Sequence, residues 1–281
     1  MKILDAKEIN QNVLVSAKEF FKGIETTVVI LNASDDEASE VYVDKKQKAF
    51  EKIGVNCVVY DLDEYTTTDD MIEEILTLNE DSNVCGIMVQ YPVYPHIDFA
   101  EVILTIDPVK DIDGLTQINQ GMKNYRKASG TYPATTRGVI DLLAHNEIDL
   151  SGKLVTILGK GFLVADPLAK YLEHCGATVV KIHTRTPYTT KCLLLGCSDI
   201  IISCAGVDLS DLLNPRICKS AEVLIGVGFR YENGKQIQDF HLEDWEDTDV
   251  LITNRINGTG LATITGLLEN TAFCYMIQGG M

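Results

Sequence analysis

Residues 155–167 read Val-Thr-Ile-Leu-Gly-Lys-Gly-Phe-Leu-Val-Ala-Asp-Pro, a short apolar run that passes through two glycines into a helical pattern. The run at 154–158 predicts a buried strand, and 163–174 has the spacing of a helix. Glycines at such a turn let the backbone approach a pyrophosphate, and the helix N-terminus offers unpaired N–H groups. Because Val164 stands at the third glycine position of G-x-G-x-x-G, the pattern fits either a dinucleotide site or an ordinary strand-to-helix turn.

The strand predicted next, at 178–182, ends in His183-Thr184-Arg185-Thr186. A site for NAD normally carries an acidic residue here, which accepts hydrogen bonds from the ribose hydroxyls. Hydroxyls and an arginine, with Lys160 expected nearby, instead suit a 2′-phosphate. The sequence therefore favours NADP over NAD, and NAD stays an alternative.

Further short strands are predicted at 199–203, 223–227 and 250–252, and they complete a second α/β array. The N-terminal half shows the same alternation. Helices are predicted at 6–21, around residues 42–54, at 69–78, 97–106 and 137–145, and strands at 26–31, 55–60 and 84–90. Strands that alternate with helices favour parallel sheets. Between them, 107–136 shows little periodicity and is predicted to be a functional loop.

These patterns predict an α/β protein of two domains. We expect an N-terminal α/β domain at 1–145 and a Rossmann-like, parallel-sheet nucleotide-binding domain at 146–259. A closing helix at 260–276, within a segment 260–281, is expected to pack back on the first domain.

Composition narrows the classes of partner and compartment. The 281 residues are 46% hydrophobic and 23% charged, as in ordinary globular proteins, and the formal net charge is −17. That charge argues against nucleic acid and anionic membranes as partners. The eight cysteines show no C-x-x-C, so we expect buried thiols in a reducing compartment and no metal site. With no signal-peptide core or membrane span in the sequence, we expect a cytoplasmic protein.

A candidate site of proton transfer lies at residues 39–50, Ser-Glu-Val-Tyr-Val-Asp-Lys-Lys-Gln-Lys-Ala-Phe. On a helix, Tyr42 and Lys46 share a face one turn apart. A lysine that is desolvated in a cleft can be neutral near pH 7 and can then donate or accept protons. The alternative is a solvated helix face that carries three lysines.

Three motifs in order now indicate a family. Tyr42-x-x-x-Lys46, Gly86-Ile87-Met88-Val89-Gln90-Tyr91-Pro92 and Lys110-Asp111-Ile112-Asp113-Gly114 resemble the YxxxK, GxxVQxPxP and KDxDG motifs of the bifunctional methylenetetrahydrofolate dehydrogenase/methenyltetrahydrofolate cyclohydrolases. The resemblance extends over nearly the whole chain, including residues 267–271, Leu-Leu-Glu-Asn-Thr.

The resemblance implies that the N-terminal α/β domain is the substrate domain and that the active-site cleft lies between the two domains. It implies NAD(P)-linked oxidation of methylenetetrahydrofolate and hydrolysis of the methenyl product to formyltetrahydrofolate. It implies that Lys46 is the general acid/base, that Gln90 tunes it and that Tyr42 stacks on the pterin. Asp113 would bind the amino-pyrimidine edge of the pterin, with Ser39 in support. Taken singly, Gln90 could instead cap a strand and Asp113 could belong to an Asp-Gly turn. The cofactor-binding residues that we expect are Gly159, Lys160, Gly161, Thr184, Arg185, Thr135 and Phe229. A homodimer and a place in purine biosynthesis are also implied.

The nucleotide-binding half departs from the family pattern. The turn has Lys160 and Gly161 in place of an arginine and a serine, and the usual PCTPxG segment reads Pro-Ala-Thr-Thr-Arg-Gly at 133–138. The usual DVGxN reads Gly-Val-Gly-Phe-Arg at 226–230 and loses its acidic residue. The loop at 254–263 has no prolines, which is expected to loosen it and to change how nicotinamide is seated.

Three hypotheses therefore stay open. The chain retains both activities, or it is mainly a cyclohydrolase with a weakened or lost dehydrogenase, or it is a non-catalytic folate- or nucleotide-binding homologue. The first is favoured, because a binding protein has no need of a lysine–glutamine pair and hydride transfer needs positioning only.

Overall fold

The computed structural model describes residues 1–124, 130–232, 235–254 and 257–279. Its strands are β1 (Lys2–Leu4), β2 (Thr27–Asn32), β3 (Asn56–Asp61), β4 (Val84–Val89), β5 (Leu154–Leu158), β6 (Thr178–Ile182), β7 (Ile200–Ser203), β8 (Val223–Gly226), β9 (Phe229–Glu232), β10 (Lys235–Gln238) and β11 (Leu251–Thr253). Its α-helices are α1 (Lys7–Phe20), α2 (Glu37–Ile53), α3 (Thr68–Glu80), α4 (Phe99–Thr105), α5 (Gln117–Asn124), α6 (Ala134–His145), α7 (Ala165–His174), α8 (Tyr188–Cys197) and α9 (Thr259–Ile277). A 3₁₀ turn covers Leu242–Trp245.

The chain forms two compact units. One contains residues 10–134 and 264–281, and we call it the lysine unit because it carries Lys46. The other contains residues 1–9 and 135–263, and we call it the glycine-turn unit because it carries Gly159 and Gly161.

The lysine unit is built on a parallel sheet with the strand order β3-β2-β4. β2 (Thr-Val-Val-Ile-Leu-Asn) lies in the centre and β4 is buried along its whole length, so both sequences are nearly continuous apolar runs. The core includes Phe21, Phe50 and Ile53 together with Leu268 from α9. The sheet therefore presents the carboxyl ends of β2 and β4 side by side, where polar residues can meet.

The glycine-turn unit is built on a six-stranded sheet with the order β1-β11-β8-β7-β5-β6, in which every pair is parallel. From β5 the chain adds β6 on one side and then crosses to β7 on the other side. The strand order thus reverses at β5, and in open α/β sheets ligands bind at the carboxyl ends of the strands at such a point. β9 and β10 form a separate antiparallel pair.

The α/β two-domain fold class is confirmed, and β5 and β6 have the predicted bounds. Several elements were missed. β1 is three residues long and exists by pairing with β11, so no local pattern predicts it. The stretch 107–136, predicted to be a loop, contains α5, and the β9–β10 pair and α8 were not predicted.

The compact units differ from the expected domain division in three places. Residues 1–9, 135–145 and 260–263 belong to the glycine-turn unit. Residues 1–9 belong to this unit because β1 pairs with β11 and so extends the six-stranded sheet. The N–H of Ala6 adds a further contact by donating to the carbonyl of Asn257 at 2.6 Å.

All eight cysteines are free thiols, and Cys57, Cys85, Cys218 and Cys274 are buried. In the described part of the chain, no helix has both the length and the apolar character that crossing a bilayer requires.

Candidate active site

Helix α2 presents Lys46 because its two ends are fixed by local chemistry. Asp36 caps the N-terminus by accepting a hydrogen bond from the N–H of Ser39 at 2.9 Å, and Gly54 ends the helix in the left-handed region with φ 81°. Val43 and Phe50 pack into the core from the same helix. Lys46 lies one turn from each of them and is buried with them, with only 7% of its surface exposed.

The amine of Lys46 is held by Gln90, the residue that follows β4. Lys46 Nζ donates to Gln90 Oε1 at 2.8 Å. Gln90 Nε2 donates to the carbonyl of Tyr91 at 2.7 Å, which leaves its oxygen for the lysine, and its backbone N–H donates to Leu31 at 2.9 Å. Gln90 therefore does more than cap a strand.

Burial and a neighbouring carboxyl group set the protonation of this site. Burial lowers the pKa of Lys46, while the charges of Asp113 and Cys57 act in the opposite direction. Burial raises the pKa of Asp113 to about 6, with Lys46 lowering it and Asp111 raising it further. The site thus combines an amine whose charged form is disfavoured with a carboxyl group that titrates near neutrality, as an acid/base site requires.

In the motif at 110–114, two side chains stabilise the turn and a third belongs to the site. Lys110 is buried and donates to the carbonyl of Leu78 at 3.0 Å, in the last turn of α3, and to the carbonyl of Asp81 at 2.7 Å, directly after the helix. Asp111 is buried and accepts from the N–H of Thr116 at 2.8 Å. Both residues hold the turn in place, whereas the charge of Asp113 acts on Lys46. Asp113 therefore lies in a turn and also belongs to the site.

Tyr42 and Ser39 stand on the same helix, before Lys46. Tyr42 is half-buried, and Lys45 Nζ lies 5.3 Å from the centre of its ring. Ser39 is buried, and its hydroxyl has no hydrogen-bond partner within the described ranges. Since an unsatisfied buried hydroxyl is costly, Ser39 is a candidate to bind a polar group of a ligand.

The glycine turn after β5 has the geometry of a phosphate-binding turn at one of its two glycines. Gly159 has φ 139°, and a side chain there would press on the carbonyl of Cys204 at 3.3 Å. A side chain at Gly161 would meet no atom within 4 Å, so Gly161 leaves open space above the turn. Helix α7 follows without a side-chain cap at Val164. The N–H of Asp166 donates to the carbonyl of Gly161 at 3.1 Å and Pro167 has no N–H, so the first turn offers few N–H groups to an anion.

Basic and hydroxyl groups lie at the same edge of this sheet. β5 and β6 pair in register at Leu158 and Ile182, so the residues after each strand are neighbours. Lys160 follows the first strand, Thr184 and Arg185 follow the second, and all three are exposed. The side chains at this edge of the sheet are therefore accessible to the phosphate group of a ligand.

Two other expected cofactor residues lie elsewhere in the same unit. Thr135, on α6, accepts a hydrogen bond from Thr263 Oγ1 at 3.2 Å. Phe229 begins β9, and its carbonyl lies against Gly206 in the loop after β7. The roles of both residues in cofactor binding stay predictions.

The proline-free loop at 254–263 is described in part, since residues 255 and 256 lie outside the described residues. Asn257 has φ 61°, and Thr259 Oγ1 donates to the carbonyl of Gly226 at 2.7 Å at the start of α9. The expected loosening of the loop stays a prediction.

Two buried polar residues near these sites were missed by sequence reasoning. Asp239 accepts from Ser203 Oγ at 2.5 Å and from the N–H of Ala205 at 3.1 Å, and it holds the loop after β7. Asn270, on α9, donates to the carbonyls of Ile112 and Tyr132. Asn270 lies within the segment 267–271 that resembles the family. Asp239 has no local sequence signal, because its hydrogen-bond partners are about thirty-five residues away in the chain.

A parallel sheet with a glycine turn at its point of reversal, and a second sheet beside a buried lysine–glutamine pair, define a two-domain α/β enzyme that binds a nucleotide cofactor. Comparison with known families agrees. Residues 4–113 match the catalytic domain of tetrahydrofolate dehydrogenase/cyclohydrolase, and residues 133–278 match its NAD(P)-binding domain. The chain belongs to the tetrahydrofolate dehydrogenase/cyclohydrolase family.

Relatives cover the whole length of the chain. The bifunctional protein FolD of Campylobacter jejuni strain RM1221 is 38% identical over 96% of this chain and 97% of its own length. The crystal structure of the Campylobacter jejuni bifunctional enzyme is 36% identical, covers 99% of both chains and has a TM-score of 0.89. The Trypanosoma brucei enzyme, complexed with NADP and an inhibitor, is 26% identical, covers 99% of this chain and 98% of its own, and has a TM-score of 0.92.

Proposed function

We propose that this chain catalyses two steps of one-carbon folate metabolism. It oxidises 5,10-methylenetetrahydrofolate to the 5,10-methenyl cation with NADP, and it hydrolyses that cation to 10-formyltetrahydrofolate. The observation that carries the proposal is the 2.8 Å hydrogen bond between the buried amine of Lys46 and Gln90, beside the charge of Asp113, in a chain of this family.

Lys46 is the general acid/base of the hydrolysis. Its neutral amine accepts a proton from the water that attacks the amidinium carbon. The protonated lysine then gives that proton to the ring nitrogen as the carbon–nitrogen bond breaks. The carbonyl forms as the new hydroxyl loses its proton, so one proton is released overall. The positive charge of the substrate adds like-charge repulsion and favours the neutral amine at the start of the reaction.

The surrounding residues bind and orient the substrate. Gln90 holds Nζ in place through its oxygen. Asp113 offers a carboxylate to the two donors of the amino-pyrimidine edge of the pterin, and the ring of Tyr42 stacks on the pterin. The hydroxyl of Ser39, which has no partner among the residues that the structure describes, hydrogen-bonds a polar group of the substrate.

The glycine-turn unit has the residues that fit NADP. The open space at Gly161, the positive φ of Gly159 and the start of α7, which no side chain caps, suit a pyrophosphate. Lys160, Thr184 and Arg185 suit the 2′-phosphate, and Thr135 and Phe229 are assigned to the nicotinamide end. NADP supplies the hydride acceptor for the oxidation, and the residues of the chain supply only position and charge.

A second candidate function, mainly a cyclohydrolase, is favoured by one observation. The glycine-turn unit lacks the acidic residue at 226–230 and the prolines at 254–263, whereas the lysine unit keeps Tyr42, Lys46, Gln90 and Asp113 of the family motifs. A changed nicotinamide-binding site would weaken the oxidation and leave the hydrolysis intact.

One assay series tests both candidates. Purified protein is mixed with methenyltetrahydrofolate without cofactor, and the decay of absorbance is followed. It is then mixed with methylenetetrahydrofolate and NADP or NAD. Acceleration in both assays with NADP preferred supports the main proposal, and acceleration of hydrolysis alone supports the second. No acceleration in either assay, with folate still bound, indicates a non-catalytic homologue.

We also propose the assembly and the cellular setting. Two chains form a homodimer in the cytoplasm, with no nucleic acid or membrane partner, and the formyl product feeds purine biosynthesis. The net charge of −17 and the eight free thiols support this setting. A mass of one chain, 31.0 kDa, by light scattering at working concentration contradicts the dimer.

A further inference from the structure

The side chain of Asn270 bridges two segments of the lysine unit from a third element. It lies on α9, is buried with 2% of its surface exposed, and donates from Nδ2 to the carbonyl of Ile112 at 2.9 Å and to the carbonyl of Tyr132 at 2.7 Å. A primary amide has two protons on this nitrogen, so each segment receives one. Ile112 directly precedes Asp113.

The two bridged segments are in close contact. The N–H of Ala134 donates to the backbone carbonyl of Asp113 at 3.2 Å. Gly114 has φ 68°, and a side chain at this position would overlap the carbonyl of Tyr132. The backbone around Asp113 therefore packs directly against the segment of Tyr132, and the side-chain amide of Asn270 is hydrogen-bonded to both segments.

The charge state of Asp113 depends on this packing. The groups that act on it are Lys46 from α2, Asp111 in its own segment and the N–H of Ala134. Burial has the largest influence and raises its pKa to about 6. A looser contact between the segments admits water, and the pKa then falls toward the ordinary value of an aspartate.

We propose that Asn270 is a positioning residue, which directs the carboxyl group of Asp113 toward the folate substrate by joining the carbonyls of Ile112 and Tyr132. The inference rests on the proposed function, in which Asp113 binds the pterin. Loss of the amide leaves the proton-transfer pair of Lys46 and Gln90 in place, so it weakens substrate binding more than chemistry.

The test is cofactor-free hydrolysis of methenyltetrahydrofolate by Asn270→Leu, with KM and kcat measured separately from pH 5 to 8. The expected result is a KM raised about tenfold, with kcat changed less than about threefold. The limb of the pH profile that reflects Asp113 is expected to move from about 6 to lower pH.

Thr271→Val is the matched control. Thr271 is the next residue on α9, is fully buried and donates to Leu267 of its own helix at 2.8 Å. This variant loses a buried hydrogen bond outside the bridged segments and is expected to keep the wild-type KM and pH limb.

If Asn270→Leu does not fold, Asn270→Asp is measured in its place. This substitution keeps the shape of the side chain and removes its two N–H donors. An unchanged KM and pH limb in a folded Asn270 variant overturns the inference, and so does an equal change in Thr271→Val. Lack of hydrolysis by the wild-type protein rejects the proposed function instead.

Discussion

The lysine unit and the glycine-turn unit hold their candidate site residues in opposite ways. In the first, Lys46 and Gln90 are each 7% exposed and are joined by a hydrogen bond. In the second, Lys160, Thr184 and Arg185 are exposed side chains that follow β5 and β6 at one edge of the sheet.

The difference follows from the chemistry of each site. Proton transfer near pH 7 needs an amine whose pKa is lowered, and burial is the largest influence that lowers the pKa of Lys46. Phosphate binding needs N–H groups and positive charge, which many sequences supply. This explains why the site residues of the lysine unit match the family motifs while the turn at 159–167 and the segments at 226–230 and 254–263 depart from the family pattern.

The strongest test of this comparison is Lys46→Met. We expect the cofactor-free hydrolysis rate to fall about a thousandfold, because general acid/base catalysis contributes on this order. Lys46→Arg is expected to fail equally, since a guanidinium does not deprotonate. Lys48→Met is the control, since Lys48 is an exposed lysine of the same helix paired with Asp44 at 2.7 Å. Hydrolysis by Lys46→Met at the wild-type rate contradicts the role of Lys46.

The second test concerns the 2′-phosphate and separates the two units. Arg185→Ala is expected to raise KM for NADP about tenfold, since it removes a charge-assisted contact, and to leave KM for NAD and the hydrolysis rate unchanged. Arg216→Ala, an exposed arginine of the same unit, serves as the control. Equal effects of Arg185→Ala on NADP and NAD contradict a 2′-phosphate at this edge.

The third test uses the pH dependence of stability. The pKa of Asp113 is raised to about 6 in the folded state, so the folded protein binds more protons than the unfolded chain between the two values. Its contribution to stability is therefore lost as pH rises toward 6. Asp113→Asn removes this partly desolvated charge and is expected to increase the free energy of unfolding at pH 7 by about 1–3 kcal/mol, while substrate binding weakens.

Urea denaturation at pH 5 and pH 7 measures this effect. The stability gained by Asp113→Asn should be larger at pH 7 than at pH 5. Asp44→Asn, an exposed carboxylate of the same unit, should show no such difference. A gain that does not depend on pH contradicts the assigned pKa.

The smallest expected effect compares two glycines of one turn. Gly159→Ala places a side chain at φ 139° against Cys204 and is expected to cost roughly 1–2 kcal/mol of stability and to weaken NADP binding. Gly161→Ala meets no atom within 4 Å, so its stability should stay within about 0.5 kcal/mol of the wild type. Thermal melting with and without NADP measures both, and equal losses contradict the geometry of the turn.

Much of the fold could be predicted because its signals are local. β5 and β6 are short β-branched runs bounded by turn residues, and their bounds were predicted correctly. Elements without such a signal were missed, such as β1, which exists only through β11, and α5, which lies within a stretch of weak periodicity. Of the candidate site, the pairing of Lys46 with Gln90 was predicted from the motifs, whereas the contributions of Asn270 and Asp239 were not.

The sequence by itself determined the α/β class, the helix that carries Lys46 and the glycine turn, because hydrophobic periodicity and turn chemistry act over a few residues. Only the tertiary structure decided that Lys46 is desolvated beside Gln90, that the pKa of Asp113 lies near 6 and that Asn270 bridges the segments around it. Burial and long-range hydrogen bonds join residues separated by 44 to 158 positions, and no local pattern encodes such distances.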